Sequence, residues 1–163
     1  MAETLGSLVD KLTIKQIRQY HLQEMLDKKD TKFSIKELKQ KMQVLEEQKG
    51  QMLKEIDSFV KDACSGNIPL RDEKIKLYNA VSEIGAIPQD KSIAKAIEGL
   101  AQKNLELWHL EDEARRKDVA LEYIGTVKQK IDKTNQQRND FIDKIDELFD
   151  ADIRGNILKK GKR

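Results

Sequence analysis

The sequence predicts an all-α protein, an antiparallel bundle of four long helices with an additional short helix. Three observations carry that expectation. Ile35, Leu38, Met42, Leu45, Lys49, Met52, Ile56 and Phe59 recur at alternating steps of three and four, the spacing of a coiled-coil-like seam. Charged residues make up 37% of the chain and aromatics 5%, with two prolines, a composition that suits long helices. Residues 104–116 are rich in Leu, Glu and Ala, and they place acids ahead of bases at helical spacing, Glu111 before Arg115 and Asp112 before Arg116.

The first helix is expected from about Thr4 to Lys29. Leu5, Leu8, Val9 and Leu12 open its apolar face, and Ile14, Ile17, His21 and Met25 continue one at steps of three or four. Ser34 and Glu37 form a capping box that starts the second helix, which spans about 30 residues, or roughly 45 Å. Residues 65–69, Ser-Gly-Asn-Ile-Pro, end it. A short third helix is expected over residues 70–84, broken by Gly85 and Pro88. The fourth runs from about Lys91 to Arg116, with Ile93, Ile97, Leu100, Asn104, Leu107, Glu111 and Ala114 on its stripe. Asp118 is placed to cap the fifth, which continues to about Asp150 along Ile124, Val127, Ile131, Thr134, Arg138, Phe141, Ile145 and Leu148. Residues 1–155 are expected to form a single helical-bundle domain. Residues 156–163 read as a basic, mobile tail.

Composition excludes several classes. With 31 bases against 29 acids the net charge is only +2, so charge alone points to no nucleic-acid partner. No apolar run approaches the ~20 residues of a membrane span, and residues 1–12 lack a signal-peptide core. The single Cys64 has no partner for a disulfide and no zinc spacing around it, which favours a reducing, cytoplasmic location. No cofactor motif is present: there is no phosphate-binding glycine loop and no nucleophile elbow.

What the sequence does mark is a polar centre on otherwise apolar faces. Helical spacing gathers His21 and Glu24 on one helix. It gathers Asn104, His109, Glu111, Asp112 and Arg115 on a second, and Thr134, Asn135, Arg138 and Asn139 on a third. Tyr20-His21-Leu22-Gln23-Glu24 and Trp108-His109-Leu110-Glu111-Asp112 share an aromatic-His-Leu-x-acid pattern, and they contain both histidines of the chain. Tyr20 and Trp108 read as core aromatics. A buried charge needs a partner, so Arg138 is expected to be buried against Glu111 or Asp112. Such a centre has three readings. It can be a structural layer that sets helix register. It can bind a small anionic or sugar-like ligand through Arg, His and Asn donors and carboxylate acceptors. It can hold metal, although His-x-x-acid reverses the order used by di-iron bundles and nearby Arg residues repel cations.

Three segments resemble a family of small bacterial helical proteins grouped as a domain of unknown function. They are Gly6-Ser7-Leu8-Val9-Asp10-Lys11-Leu12-Thr13-Ile14 followed by Arg18, where the family pattern has Lys; Leu107-Trp108-His109-Leu110-Glu111-Asp112-Glu113-Ala114-Arg115; and Asn135-Gln136-Gln137-Arg138-Asn139-Asp140. The resemblance runs from about Leu5 to Leu148 and is poorest over residues 31–88. It singles out Asp10, Lys11, Glu111, Asp112, Arg115, Asn135 and Arg138, with Lys11 expected to pair with an acid of the fourth helix or to join the polar centre. Members of the family often lie near glycosyltransferase and surface-polysaccharide genes. The resemblance therefore implies a binding or accessory factor in cell-surface polysaccharide synthesis. The alternatives are an enzyme that uses Glu111 or Asp112 as acid or base with His109 assisting, a metal-binding bundle, and a structural oligomeric scaffold. A protein partner fits the first and last of these, and helices this long allow a homodimer.

Overall fold

The computed structural model describes residues 3–28, 33–70 and 92–160, with side chains described to residue 155. Among these residues there are four α-helices and no strand: α1 Leu5–Lys28, α2 Ile35–Cys64, α3 Ile93–Ala114 and α4 Leu121–Lys160. The short helix expected over 70–84 falls, but for residue 70, outside the described residues. No described helix is long and apolar enough to cross a membrane.

Local chemistry sets the helix ends. Thr4 and Ser7 cap α1 reciprocally: the Ser7 amide donates to Thr4 Oγ1 at 3.2 Å and the Thr4 amide donates to Ser7 Oγ at 2.9 Å. The expected capping box starts α2. The Glu37 amide donates to Ser34 Oγ at 3.2 Å, and the Ser34 amide donates to Glu37 Oε2 at 2.8 Å. The Ser34 hydroxyl and amide hold the exposed Glu37 carboxylate below its ordinary range. Gly66, at φ +73°, takes the left-handed conformation that stops α2, and the Asn67 amide returns to the Asp62 carbonyl at 3.0 Å. Ser92 caps α3.

Two ends differ from expectation. Asp118 does not cap the last helix, because Arg116 captures its carboxylate with Nε at 3.1 Å and Nη2 at 2.8 Å; α4 starts instead at Leu121. At the other end, α4 continues through Gly155 to Lys160, past the stop expected near Asp150. A lone Gly costs a helix only about 1 kcal/mol, and no Pro follows to break it.

Helix α1 packs against each of the other three helices, and α3 and α4 form the most extensive pair. That central place explains why Leu5, Gly6, Leu8, Val9 and Asp10 are all buried, more than a single stripe would bury. Helix α2 lies chiefly on α1, so its buried seam is narrower than its hydrophobic pattern. Leu38, Leu45, Met52 and Phe59, every seventh residue, are buried, whereas Ile35 is 54% exposed. Leu100 of α3 and Ile145 of α4 are wholly enclosed in the core that these helices share with the start of α1.

Among the described glycines, Gly6 and Gly99 permit close helix contacts. A Cβ on Gly6 would overlap the carbonyl oxygen of Ile142, and the Gly6 amide donates to Asp146 Oδ1 at 2.7 Å. A Cβ on Gly99 would overlap the Phe141 ring. Gly6→Ala meets rigid backbone, whereas Gly99→Ala meets a ring that can tilt. Gly6→Ala is therefore expected to be the costlier of the two, by about 1–3 kcal/mol in urea unfolding. Gly125→Ala, with no neighbour within 4 Å, should instead stabilise by about 0.5–1 kcal/mol. A Gly6→Ala protein that gained stability like Gly125→Ala would disprove the close α1–α4 approach.

Candidate functional site

The polar centre is organised by Asp10, which is only 4% exposed. Its carboxylate accepts from Arg138 Nε at 2.8 Å and from Arg138 Nη2, a two-pronged, charge-assisted pair. Asn104 Nδ2 donates to Asp10 Oδ1 at 2.9 Å and to Thr13 Oγ1 at 2.7 Å, and Thr13 Oγ1 donates to the Asp10 carbonyl at 2.8 Å. One buried carboxylate thus ties α1 to both α3 and α4. Donation to Asp10 holds the Arg138 guanidinium above its ordinary range, against the opposing effect of burial.

The expectation that Arg138 pairs with Glu111 or Asp112 is corrected by this geometry. Arg138 is part-buried and bound to a carboxylate, but the carboxylate comes from α1. Glu111 and Asp112 are exposed and meet Arg115 of their own helix, at 3.7 Å and 3.1 Å. Glu111 lines the open groove and Asp112 lies exposed, both beside Arg115, while Asp10 lies on the part of α1 that α3 and α4 enclose. Lys11 is corrected too: it pairs with Glu3 on the surface rather than with α3 or the polar centre. Asn135 is half-buried one turn before Arg138.

Above this network lies a groove of about 420 Å³ among α1, α3 and α4, lined by Arg18, Asn104, Trp108, Glu111, Arg115 and Arg138, with Ile14 and Leu107 beside them. Three arginines and one glutamate are among its lining residues. Arg138 is immobilised by Asp10, and Arg115 is tethered by Glu111 and Asp112. Arg18 is exposed and has no ion pair among the described residues. Arg18 and Trp108 are the lining residues that sequence reasoning undervalued. Arg18 entered it only as the base after a motif, and Trp108 as a core filler.

The two aromatic-His segments meet in space. His21 stacks on Trp108, with ring centroids 4.6 Å apart and planes 4° from parallel, and His109 stands edge-on to His21 at 6.3 Å. Trp108 is half-buried and Tyr20 is 62% exposed, so neither is the core aromatic expected. His109 is exposed. His21 Nδ1 lies 3.0 Å from Glu24 Oε2, and His21 Nε2 is buried with no hydrogen-bond partner among the described residues. Hydrogen bonds from Lys28 and then His21 keep the Glu24 carboxylate below its ordinary range. Among the described residues no three His, Cys, Asp or Glu side chains come together as a metal site.

All three motif segments therefore meet at this groove and the network beside it: the first through Arg18 in the groove and Asp10 and Thr13 in the network, the second through Trp108, Glu111 and Arg115, and the third through Arg138. No curated protein and no solved structure matches the chain. A family model described as "Protein of unknown function (DUF4254)" matches residues 1–71 and 94–162. The match includes residues 31–71, part of the stretch where the resemblance was read as poorest. With all three convergent segments and most of its length inside the match, the chain belongs to the DUF4254 family.

Proposed function

We propose that this chain is a binding protein whose groove takes a small anionic, hydroxyl-bearing ligand of the phosphorylated-sugar class, and that it serves as an accessory factor in cell-surface polysaccharide synthesis. The observation that carries the first half is the convergence of Arg18, Arg115 and Arg138 on one groove, with Arg138 held in place by a buried carboxylate. Guanidinium forks match phosphate oxygens in pairs, and a donor held in position beforehand loses little entropy on binding. Glu111 and the Trp108 ring add a hydroxyl acceptor and a flat apolar face. The link to surface glycans comes from the motif resemblance. The single Cys64, exposed and unpaired, agrees with a reducing cytoplasm.

The same reading takes the four helices to run antiparallel in chain order. The register of α4 supports it: Gly6 meets Asp146 while Asp10 meets Arg138, and Gly99 meets Phe141 while Glu106 meets Thr134.

Trp108, the only Trp, lines the groove and reports its occupancy. Titration with inorganic phosphate and with a nucleotide-sugar should change its fluorescence saturably. Arg18→Ala and Arg115→Ala should each weaken binding about tenfold or more, the worth of a charged hydrogen bond. Unchanged fluorescence and no heat of binding for both probes would refute the anion site. Glu111 also lines the groove, so the enzyme reading has its own signature: release of nucleoside diphosphate from the nucleotide-sugar, lost in Glu111→Gln.

A further inference from the structure

A second cavity shares two lining residues with the arginine groove and is more apolar. About 510 Å³ in volume, it lies between α1 and α2 and is walled mainly by Leu22, Met25, Phe33, Leu38, Val44 and Leu45, with two glutamines and Lys41, whose Nζ sits 3.9 Å over the Phe33 ring, also in its lining. Leu38 and Leu45 are buried, whereas Phe33 is 40% and Val44 52% exposed, so apolar surface lies open along one side. Arg18 and Trp108 belong to both cavities. The partition between them is thus a cation and an indole, and the indole is held by its stack on His21. His21 also lines the apolar cavity, and the bond from its Nδ1 to Glu24 fixes the ring. Each cavity alone falls in the ~300–1,000 Å³ range of small-ligand sites.

Resting on the anion-binding reading above, we propose that the ligand is an amphiphile: a phosphate-bearing head in the arginine groove joined to an aliphatic chain that passes Arg18 and Trp108 into the α1–α2 cavity. A free phosphate or sugar would leave the apolar cavity open to water. A purely apolar ligand would leave Arg18 without an anion. A molecule with both ends uses both neighbours of Arg18 and Trp108, the arginine groove and the more apolar cavity. The chain length that the second cavity accepts then sets affinity, because each methylene removed from water strengthens binding roughly fourfold.

The test is calorimetric titration of the full chain with inorganic phosphate, with butyl, hexyl and octyl phosphate, and with octyl glucoside as a neutral-headed control. Affinity should climb along the alkyl phosphates, and octyl glucoside should bind far more weakly than octyl phosphate. The double change Phe33→Gln with Val44→Gln, at two exposed positions that should not disturb folding, should flatten the chain-length series and leave inorganic phosphate binding intact. Arg18→Ala should weaken every phosphate. If inorganic phosphate binds but the alkyl series is flat, the amphiphile is wrong and the anion site stands. If none of the phosphates binds, both fall. Octyl glucoside binding as tightly as octyl phosphate would overturn the proposal. So would a dimer in sedimentation that the Phe33/Val44 changes dissolve and octyl phosphate does not, since a second copy would then fill the cavity.

Discussion

Asp10→Ala should destabilise the protein by about 3 kcal/mol in urea unfolding, the lower end of the ~3–5 kcal/mol typical when one partner of a buried ion pair is removed. Asp10 is almost wholly enclosed and accepts three hydrogen bonds, two from Arg138 and one from Asn104. Without it, the guanidinium and the amide lose their acceptor. Arg138 keeps 25% of its side chain exposed, so it can turn toward groove water, which is why the lower end applies. The double change Asp10→Leu with Arg138→Met replaces the pair with apolar volume and should recover most of the loss. That protein also separates structure from binding. If Arg138 donates to the ligand, stability returns and phosphate binding does not. An Asp10→Ala protein within 0.5 kcal/mol of the parent, the range of ordinary surface changes, would show that the carboxylate is not the tie among α1, α3 and α4.

Leu100→Ala should cost about 2–5 kcal/mol, while Leu105→Ala, five residues along the same helix, should stay within about 0.5 kcal/mol. Leu100 is fully enclosed in the core formed with the start of α1 and with Ile145, and removing its side chain leaves a cavity that rigid helices cannot close. Leu105 is 44% exposed and leaves nothing behind. Thermal or urea unfolding of the two variants side by side decides it. Equal losses would mean that α3 presents a different face to the bundle.

Much of α2 was legible because its signals are local. A serine three residues before a glutamate builds the capping box within one turn, and Gly66 stops the helix through its own backbone. The stripe of α4 was legible for the same reason: Val127, Ile131, Thr134 and Ile145 are buried as their spacing foretells. The failures share a cause as well. Asp118 was read as a cap from position alone, but an arginine two residues earlier competes for the same carboxylate. Trp108 was read as core because indoles usually bury, yet it partitions two cavities.

The candidate site divides along the same line. The need of Arg138 for a carboxylate follows from the sequence, because a guanidinium on an apolar stripe has no other stable solution. Which carboxylate it takes does not. Glu111 sits at the matching step of α3, but it lies exposed in the groove wall beside Arg115, and the acid that answers Arg138 comes from 128 positions away in the chain. Sequence by itself determined the four long helices, most of their ends and the residue types of a polar centre, since each depends on contacts within a few residues. The tertiary structure alone decided that α1 is the central helix, that Asp10 is the hub, and that Arg18 and Trp108 stand between a cationic groove and an apolar one. Those facts depend on which helix faces are brought together, and periodicity along a single helix cannot encode its neighbours.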